Sequence, residues 1–287
     1  MRMFATLHSV PTKLSVLQHR RVILAPISQG ANYPFACTSY SPALHGELLT
    51  EVQRFRGSNY LSDGAIRPHE LSQDGRYVEN VDRNSWHFLT LDADDKILSC
   101  ARYHESLNPS FENSIAAQCA LAEHPDWQVS LRSAVSNAIH SARSRKMRFA
   151  ELGGWCVAKD CRNSSQAVRT VLSMYALGEI LGGTVGISTA TLRHASALIL
   201  QKLGGSRLED GGRLLPSYLD PKYRCEMQLL QFDTSNPASR YADTISGLIG
   251  EIRTSVEVLV PSSEDSISHS LIALSTAVGM KNESSAR

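Results

Sequence analysis

Residues 149–167 read Phe149-Ala150-Glu151-Leu152-Gly153-Gly154-Trp155-Cys156-Val157-Ala158-Lys159-Asp160-Cys161-Arg162-Asn163-Ser164-Ser165-Gln166-Ala167. The stretch opens as a strand, Phe149 to Ala158, interrupted by Gly153-Gly154. Glycines inside a strand mark a bulge or a close backbone approach. A short polar turn follows, and a helix opens at Ser165. Helix N-termini expose unpaired N–H groups and the positive end of the helix dipole, which suits a phosphate. Arg162 adds a charge-assisted donor, and the small Ser164, Ser165 and Ala167 leave the backbone open to approach. The same residues also read as an ordinary helix cap beside a surface arginine, so the flanking pattern has to decide.

Working outward, Leu44, Leu48, Val52 and Phe55 recur at helical steps over Ala43 to Phe55, with Asn59 and Gly64 expected to break the helix. Trp86 to Leu91 and Ile97 to Tyr103 flank the turn Asp92-Ala93-Asp94-Asp95, an antiparallel hairpin. Val129 to Arg145 places Ala134, Val135, Ala138, Ile139 and Ala142 on one helical side. Beyond the quoted stretch, the Ser165 helix runs to Leu181 and stops at Gly182-Gly183. Thr184 to Thr189 reads as a strand, Ala195 to Leu203 as a helix, and Cys225, Met227 and Leu229 alternate as a final strand. A hairpin followed by βαβ units predicts an α/β chain: a mixed sheet with helices on both faces.

The chain has 287 residues, 42% hydrophobic and 20% charged, enough for a sizeable core and not a disordered composition. Lys plus Arg is 29 and Asp plus Glu is 28, so a net charge of +1 gives no global field toward nucleic acid. No apolar run reaches a membrane-spanning length. The 6 cysteines form no zinc-like spacing, which fits free thiols in a reducing, cytoplasmic setting. Residues 1–42 read as an N-terminal extension: basic, acid-free and punctuated by proline, with the composition of either a loose segment or a transit peptide. Residues 43–233 read as the main domain. Residues 234–287 read as a helical extension and polar tail, with Ile245, Leu248, Ile249, Ile252, Val256 and Leu259 on one helix ended by Pro261.

The element order and the quoted turn resemble the GNAT acyltransferase superfamily. Its pyrophosphate signature, Gln/Arg-x-x-Gly-x-Gly/Ala, stands at this strand-to-helix turn, and here reads Arg162-x-x-Ser165-x-Ala167. The resemblance implies a GNAT-like fold whose two central parallel strands splay to admit a thioester. A narrower resemblance is to the autoinducer (acyl-homoserine-lactone) synthases and the long-chain N-acyl amino acid synthases. It rests on Arg54-Phe55-Arg56, on Glu79-Asn80-Val81-Asp82 where the synthases carry paired aspartates, on Cys100-Ala101-Arg102, and on Glu151. Asp82 matches one aspartate, and Asn80 does not supply the other. Gly154-Trp155 stands where an arginine follows the glutamate in the autoinducer synthases, which points away from S-adenosylmethionine and toward an amino acid or another amine.

The implied function is transfer of a fatty acyl group from an acyl-carrier-protein or acyl-CoA thioester to an amine, with no permanently bound cofactor. The amine must be neutral to attack, so a base takes its proton. Glu151 is the first candidate and Asp82 the second, with Arg102 holding a carboxylate. Strand amides beside Trp155 and Val157 would polarise the thioester carbonyl, and Arg162, Asn163, Ser164, Ser165 and Ala167 would hold its phosphate. Arg54, Phe55, Trp86, Tyr218 and Tyr223 are the expected substrate contacts. The basic cluster Arg143, Arg145, Lys146 and Arg148 is the expected dock for an acidic carrier protein. Three other readings compete: an acetyl-CoA-dependent N-acetyltransferase, a non-catalytic acyl-binding module, and a serine hydrolase in which Gly186-Ile187-Ser188-Thr189-Ala190 approximates a nucleophile elbow, with His194 and His269 as the downstream histidines.

Overall fold

The computed structural model describes residues 19–27, 34–162 and 164–261. In chain order, β1 (Arg20–Leu24) and β2 (Thr38–Tyr40) precede α1 (Pro42–Ser62). The hairpin β3 (Trp86–Leu91) and β4 (Ile97–Glu105) follows, then α2 (Gln128–Ser144). Next come β5 (Arg148–Val157), α3 (Gln166–Ile180), β6 (Thr184–Thr191) and α4 (Ser196–Lys202). The short strands β7 (Ser206–Arg207), β8 (Glu209–Asp210), β9 (Arg213–Leu214) and β10 (Tyr218–Asp220) lead to β11 (Cys225–Asp233), α5 (Ala242–Thr254) and β12 (Glu257–Val260).

One mixed sheet carries the molecule, in the order β10-β11-β6-β5-β4-β3-β1-β12-β2, with β7 also on β11. The hairpin β3–β4 and the pair β4–β5 are antiparallel, whereas β5 and β6 run parallel, joined by α3. All six residues of β3 are buried because helices cover both faces of the sheet. On one face, Leu172, Ala176 and Leu177 of α3 and Leu248 and Ile252 of α5 pack on Ile23, Phe88, Tyr103 and Ala150. Each fully buried Leu, Ile or Phe there contributes about 1.5–3 kcal/mol of burial. The opposite face is covered by two separate clusters. Leu48 and Val52 of α1 lie on Val22, Leu89 and Cys100, while Leu131, Val135 and Ile139 of α2 lie on Phe149, Val185 and Ile187. Because α1 and α2 share a face without sharing a cluster, a gap is left between them over β4 and β5.

The elements differ from the sequence reading in three places. Helix α1 passes through Asn59, whose Nδ2 donates to the Phe55 carbonyl at 2.9 Å inside the helix, and ends at Asp63 and Gly64, where φ is +68°. Residues 20–24, read as part of an extension, form a strand between β3 and β12. The C-terminal helix stops at Thr254, Val256 lies in the bend that follows, and Leu259 belongs to β12, which runs parallel to β1 and β2. A helical step of three or four placed both on the α5 face only by coincidence. No helix among the described residues is long and apolar enough to cross a membrane.

Strand β5 is irregular in two ways. Cys100 stands opposite Cys156 and Arg102 opposite Gly153, so two steps of β4 face three of β5. Gly154 takes φ +59° at this bulge, a conformation that costs other residues about 1–2 kcal/mol. The parallel ladder with β6 runs from Arg148–Thr184 to Glu151–Ile187 and stops there, although β5 continues to Val157 and β6 to Thr191. The two central strands therefore fork.

Candidate active site

The fork opens a cavity of about 190 Å³. Leu152, Gly153, Gly154 and Trp155 of β5 form one wall, and Ser188, Thr189, Ala190 and Thr191 of β6 the other. Tyr60, Glu79, Arg102, Ile115 and Tyr223 close it from the α1–α2 face. A narrow adjoining slot of about 40 Å³ leads toward α3 and α4, lined by Leu152, Val171, Met174, Leu200 and Phe232. The cavity thus joins a polar end to an apolar end, at the carboxyl ends of the parallel strands, where ligands of open α/β sheets bind.

The polar end rests on a buried ion cluster. Arg56, fully buried on α1, donates from Nη2 to Asp82 Oδ2 at 2.5 Å. Arg102 of β4 donates from Nη1 to Asp82 Oδ1 at 2.8 Å and to Glu79 Oε2 at 2.6 Å. Gln53 Nε2 and the Glu79 backbone N–H both reach Asp82 Oδ2 at 3.0 Å. Burial alone would raise the Asp82 carboxyl, but Arg56 and then Arg102 outweigh it and hold it well below the usual carboxylate range. His87 donates from Nε2 to the Asp82 carbonyl at 2.8 Å. Burial first, and the field of Arg56 second, push its imidazole down to about 3, so it stays neutral among the arginines. The bulge glycines are what make room: a Cβ on Gly154 would lie 3.2 Å from both Arg102 Cβ and Arg56 Nη1.

Glu151 sits at the crotch of the fork, as the last β5 residue paired with β6. Its Oε1 accepts the Ile115 backbone N–H at 2.5 Å, which ties the 3-10 turn Ile115–Gln118 to the strand. Burial raises its carboxyl above the ordinary range, against the Ile115 bond and the field of Arg102. A carboxylate in that state accepts a proton more readily than an exposed one. Asp82 is the opposite case: its carboxyl is held down rather than raised, and taking a proton would strip two buried arginines of their counter-charge. Its geometry is that of an anchor for Arg102. The second carboxylate of the pair is Glu79, not Asn80; the spacing Glu79-x-x-Asp82 brings both onto Arg102 and leaves Glu79 facing the cavity. Arg56 and Glu79 both stand within the sequence landmarks, but only the bulge shows why they meet.

Beyond the fork, the Ser165 turn is organised from within. Ser164 Oγ donates to the Cys161 carbonyl at 2.7 Å and accepts the Gln166 N–H at 3.1 Å. Gln166 itself is buried and donates to Thr90 Oγ1 and Ser99 Oγ, both at 2.8 Å, fixing the start of α3 on the hairpin. Ser165 is exposed and Ala167 half-buried, Val157 is buried at the end of β5, and Asn163 lies outside the described residues. Arg162 forks onto Asp63, with Nη1 to Oδ1 at 3.0 Å and Nη2 to Oδ2 at 2.9 Å.

The expected substrate contacts divide. Tyr223 lines the cavity, with its hydroxyl 3.5 Å from that of Tyr77. Arg54 points away, to Glu51 and Asp74. Phe55 packs with the α1 core, Trp86 is fully buried against Phe35 on the α3 face, and Tyr218 is buried with the α2 cluster. The basic cluster lies at the wrong end of β5. Arg148 starts the strand whose other end reaches the turn, nine residues or about 30 Å away at strand rise. Arg145 is paired with Asp233, and Arg148 with Glu105. Ser188 stands inside β6, opposite Leu230 of β11, rather than on a strand-to-helix elbow, and its Oγ donates to the Thr189 carbonyl at 3.4 Å. His194 lines the cavity and His269 lies outside the described residues.

No family model and no curated relative matches this sequence. Solved structures do match by shape. A CoA-dependent acyl-homoserine lactone synthase, BjaI, seen with SAM and isopentyl-CoA, superposes with a TM-score of 0.51 at 12% identity, over 86% of this chain and 96% of that one. A second CoA-dependent acyl-homoserine lactone synthase, MesI, gives 0.50 at 14% identity, over 82% and 99%. FeeM, an N-acyl amino acid synthase from uncultured soil microbes, gives 0.41 at 10% identity, over 76% and 92%. The forked sheet with helices on both faces is the GNAT-like fold that acyl-homoserine lactone synthases share.

Proposed function

We propose that the chain is an N-acyltransferase that moves an acyl group from a pantetheine thioester, carried by CoA or by a carrier protein, to the amine of an amino acid or similar small molecule. The observation that carries this reading is the fork itself: one cavity joins an apolar slot to a polar floor containing Glu79 and Arg102, and Glu151 stands at the crotch of the fork, next to the lining residue Leu152 and bonded to the lining residue Ile115. In this reading the thioester lies along the edge of β5 beyond Glu151, where the ladder to β6 has ended and the backbone N–H groups on that side have no strand partner among the described residues. Such N–H groups stabilise the oxyanion of the tetrahedral intermediate. Glu151 takes the proton of the attacking amine as the C–N bond forms, the negative charge on the thioester oxygen collapses to break the C–S bond, and the released thiolate takes that proton from Glu151 and leaves as thiol. Arg102, held rigid by Asp82 and Glu79, orients the acceptor. Holding both reactants in one cavity supplies much of the acceleration.

The acyl tail would enter the slot beside Val171 and Met174. As it stands the slot is small, which favours a short acyl group; a fatty chain requires Met174 and Leu200 to swing aside, and methionine is suited to that. Purified protein should be incubated with acyl-CoA donors from acetyl to dodecanoyl and a mixture of amino acids, and the products weighed by mass spectrometry. An N-acyl amino acid formed by the native protein and lost in Glu151→Gln, with folding intact, supports the reading. A short-chain product assigns the acetyltransferase alternative. Donor binding without turnover from any donor leaves a binding module, and overturns the enzyme reading.

A further inference from the structure

Amide formation near neutral pH strips two protons from the acceptor nitrogen, because an aliphatic amine arrives as its ammonium ion. The ammonium ion and the acyl thioester yield the amide, the thiol and one free proton. The proton that ends on the thiol passes through Glu151 as the nitrogen attacks. The other has to leave beforehand, since an ammonium nitrogen has no lone pair. Glu151 must therefore be emptied once before the C–N bond forms, which calls for a second proton acceptor within its reach.

His104 holds that position. It stands directly opposite Glu151 in the antiparallel β4–β5 ladder, so the two side chains leave the sheet on the same face, with Cβ atoms about 4.5–5.5 Å apart. Its tautomer is set by the turn Asp82–Asn84. His104 Nδ1 lies 3.2 Å from the Asn84 carbonyl and 3.2 Å from Ser85 Oγ. Ser85 Oγ gives its own hydrogen to the Val81 carbonyl at 2.5 Å. Both neighbours of Nδ1 can then only accept, so Nδ1 carries the ring hydrogen and the lone pair is on Nε2. Nε2 has no hydrogen-bond partner among the described residues, and the ring is half-buried, open in part to solvent.

The charges around the ring keep it ready to accept. Burial lowers its pKa, the Asn84 carbonyl works against that, and then Arg102 lowers and Glu105 raises it. Arg102 is two residues back on the same strand, Glu105 is paired with Arg148, and Glu151 faces the ring from β5. The imidazole is thus neutral near pH 7. Two other histidines are poorly placed. His87 has its Nε2 on the Asp82 carbonyl and is pushed down to about 3. His194 lies past the end of β6, whereas Glu151 pairs with Ile187 in the middle of that strand.

Resting on the acyltransferase reading, we propose that His104 takes from Glu151 the first proton of the acceptor ammonium and passes it to solvent. An N–H bond of the ammonium breaks as the Glu151 O–H bond forms; that O–H bond breaks as Nε2–H forms, and the imidazolium gives the proton to water. Glu151 is then ionised again for the attack. His104 acts through Glu151 and is a positioning residue.

Two measurements test this. The first needs no turnover: nitrogen NMR of the histidine rings across pH, with the His104 signals identified by their loss in His104→Gln. The native ring should show hydrogen on Nδ1. Its midpoint should fall by about half a pH unit or more in Glu151→Gln, the effect of removing one charge about 5 Å away; the glutamine oxygen still accepts the Ile115 N–H. An unchanged midpoint, or hydrogen on Nε2 of the neutral ring, overturns the proposal. The second compares amino acid acceptors, charged at pH 7, with their aminooxy analogues, which are neutral there and have one proton to lose. His104→Gln should lower kcat for the charged acceptor about a hundredfold, the lower end of what a positioned base contributes, with KM unchanged. Imidazole in the buffer should restore part of that loss, and transfer to the aminooxy acceptor should stay at the native rate. Equal losses on both acceptors make His104 a strand contact and overturn its role alone. Transfer to neither acceptor by the native protein overturns the acyltransferase reading and this role with it.

Discussion

Replacing Gly154 by alanine adds one methyl group where the β5 bulge crosses two buried arginines. The new Cβ would stand 3.2 Å from Arg102 Cβ and 3.2 Å from Arg56 Nη1, and Gly154 holds φ +59°. Two costs add. The left-handed backbone costs an alanine about 1–2 kcal/mol, and overpacking a filled site costs about 1–3 kcal/mol more. Gly211 separates them, because it holds φ +58° and a methyl group there would meet nothing within 4 Å. Gly211→Ala should therefore lose only the backbone part, and Gly154→Ala about 2–5 kcal/mol in all. Urea unfolding followed by tryptophan fluorescence measures both, since Trp155 is the next residue along the bulge. The same Gly154→Ala protein, at a temperature where it remains folded, should lose acyl transfer, because relief of the contact moves Arg102 away from Glu79. Equal destabilisation by the two substitutions would refute the claim that the glycine is needed to seat the arginines.

Three further outcomes concern the same cluster and its surroundings. Asp82→Asn leaves Arg56 and Arg102 buried with half their counter-charge and should cost about 3–5 kcal/mol in urea unfolding; a loss well below that would mean the cluster relaxes to solvent. The depressed His87 pKa, about 3 in the fold, means that the unfolded chain takes a proton below about pH 6.5 while the native one does not. Stability from this group is therefore present at neutral pH and lost as pH falls, by about 2 kcal/mol at pH 5; His87→Gln should lack that component, and parallel pH profiles for the two proteins would contradict it. Charge reversal at Arg143 and Lys146 should leave KM for an acyl-carrier-protein donor unchanged, since these residues lie at the other end of β5 from the turn into α3; a rise in KM would restore the dock that the sequence indicated.

The stretch 149–167 carried most of the fold because its signals are local. A strand broken by two glycines, a polar turn and an apolar helix dictate bulge, turn and α3 with little help from elsewhere. Glu151 was singled out by the resemblance rather than by a local signal, and the structure places it as the last β5 residue paired with β6. The features that escaped depend on partners distant in sequence. Arg20–Leu24 is five residues long and becomes a strand only because β3 and β12 flank it. Arg56 reads as one charged residue of a helix, yet it is fully buried because Asp82, 26 positions later, meets it under the bulge. Arg54, two residues earlier, faces solvent, and helical geometry separates the two faces where a list of residue types does not. His104 faces Glu151 only because β4 and β5 pair.

The carboxyl groups near the fork illustrate how environment divides labour among like side chains. Asp82 and Glu79 are both tied to arginines, and Asp82 accepts from Arg56, Arg102, Gln53 and a backbone N–H at once. Protonating it would break several charge-assisted bonds together, so its ionised form is fixed across the working pH range. Glu151 accepts the Ile115 N–H, and burial raises its carboxyl instead of lowering it. Two carboxyls pushed in opposite directions separate a structural anion from a group able to exchange a proton. Activity limited by Glu151 should thus fall as pH drops through a value above that of an ordinary glutamate, while the ion cluster beneath remains intact. A pH–rate profile whose acid limb lies at or below the ordinary carboxylate range, with the protein still folded, would move the proton-accepting role away from Glu151 and toward Glu79 on the cavity wall.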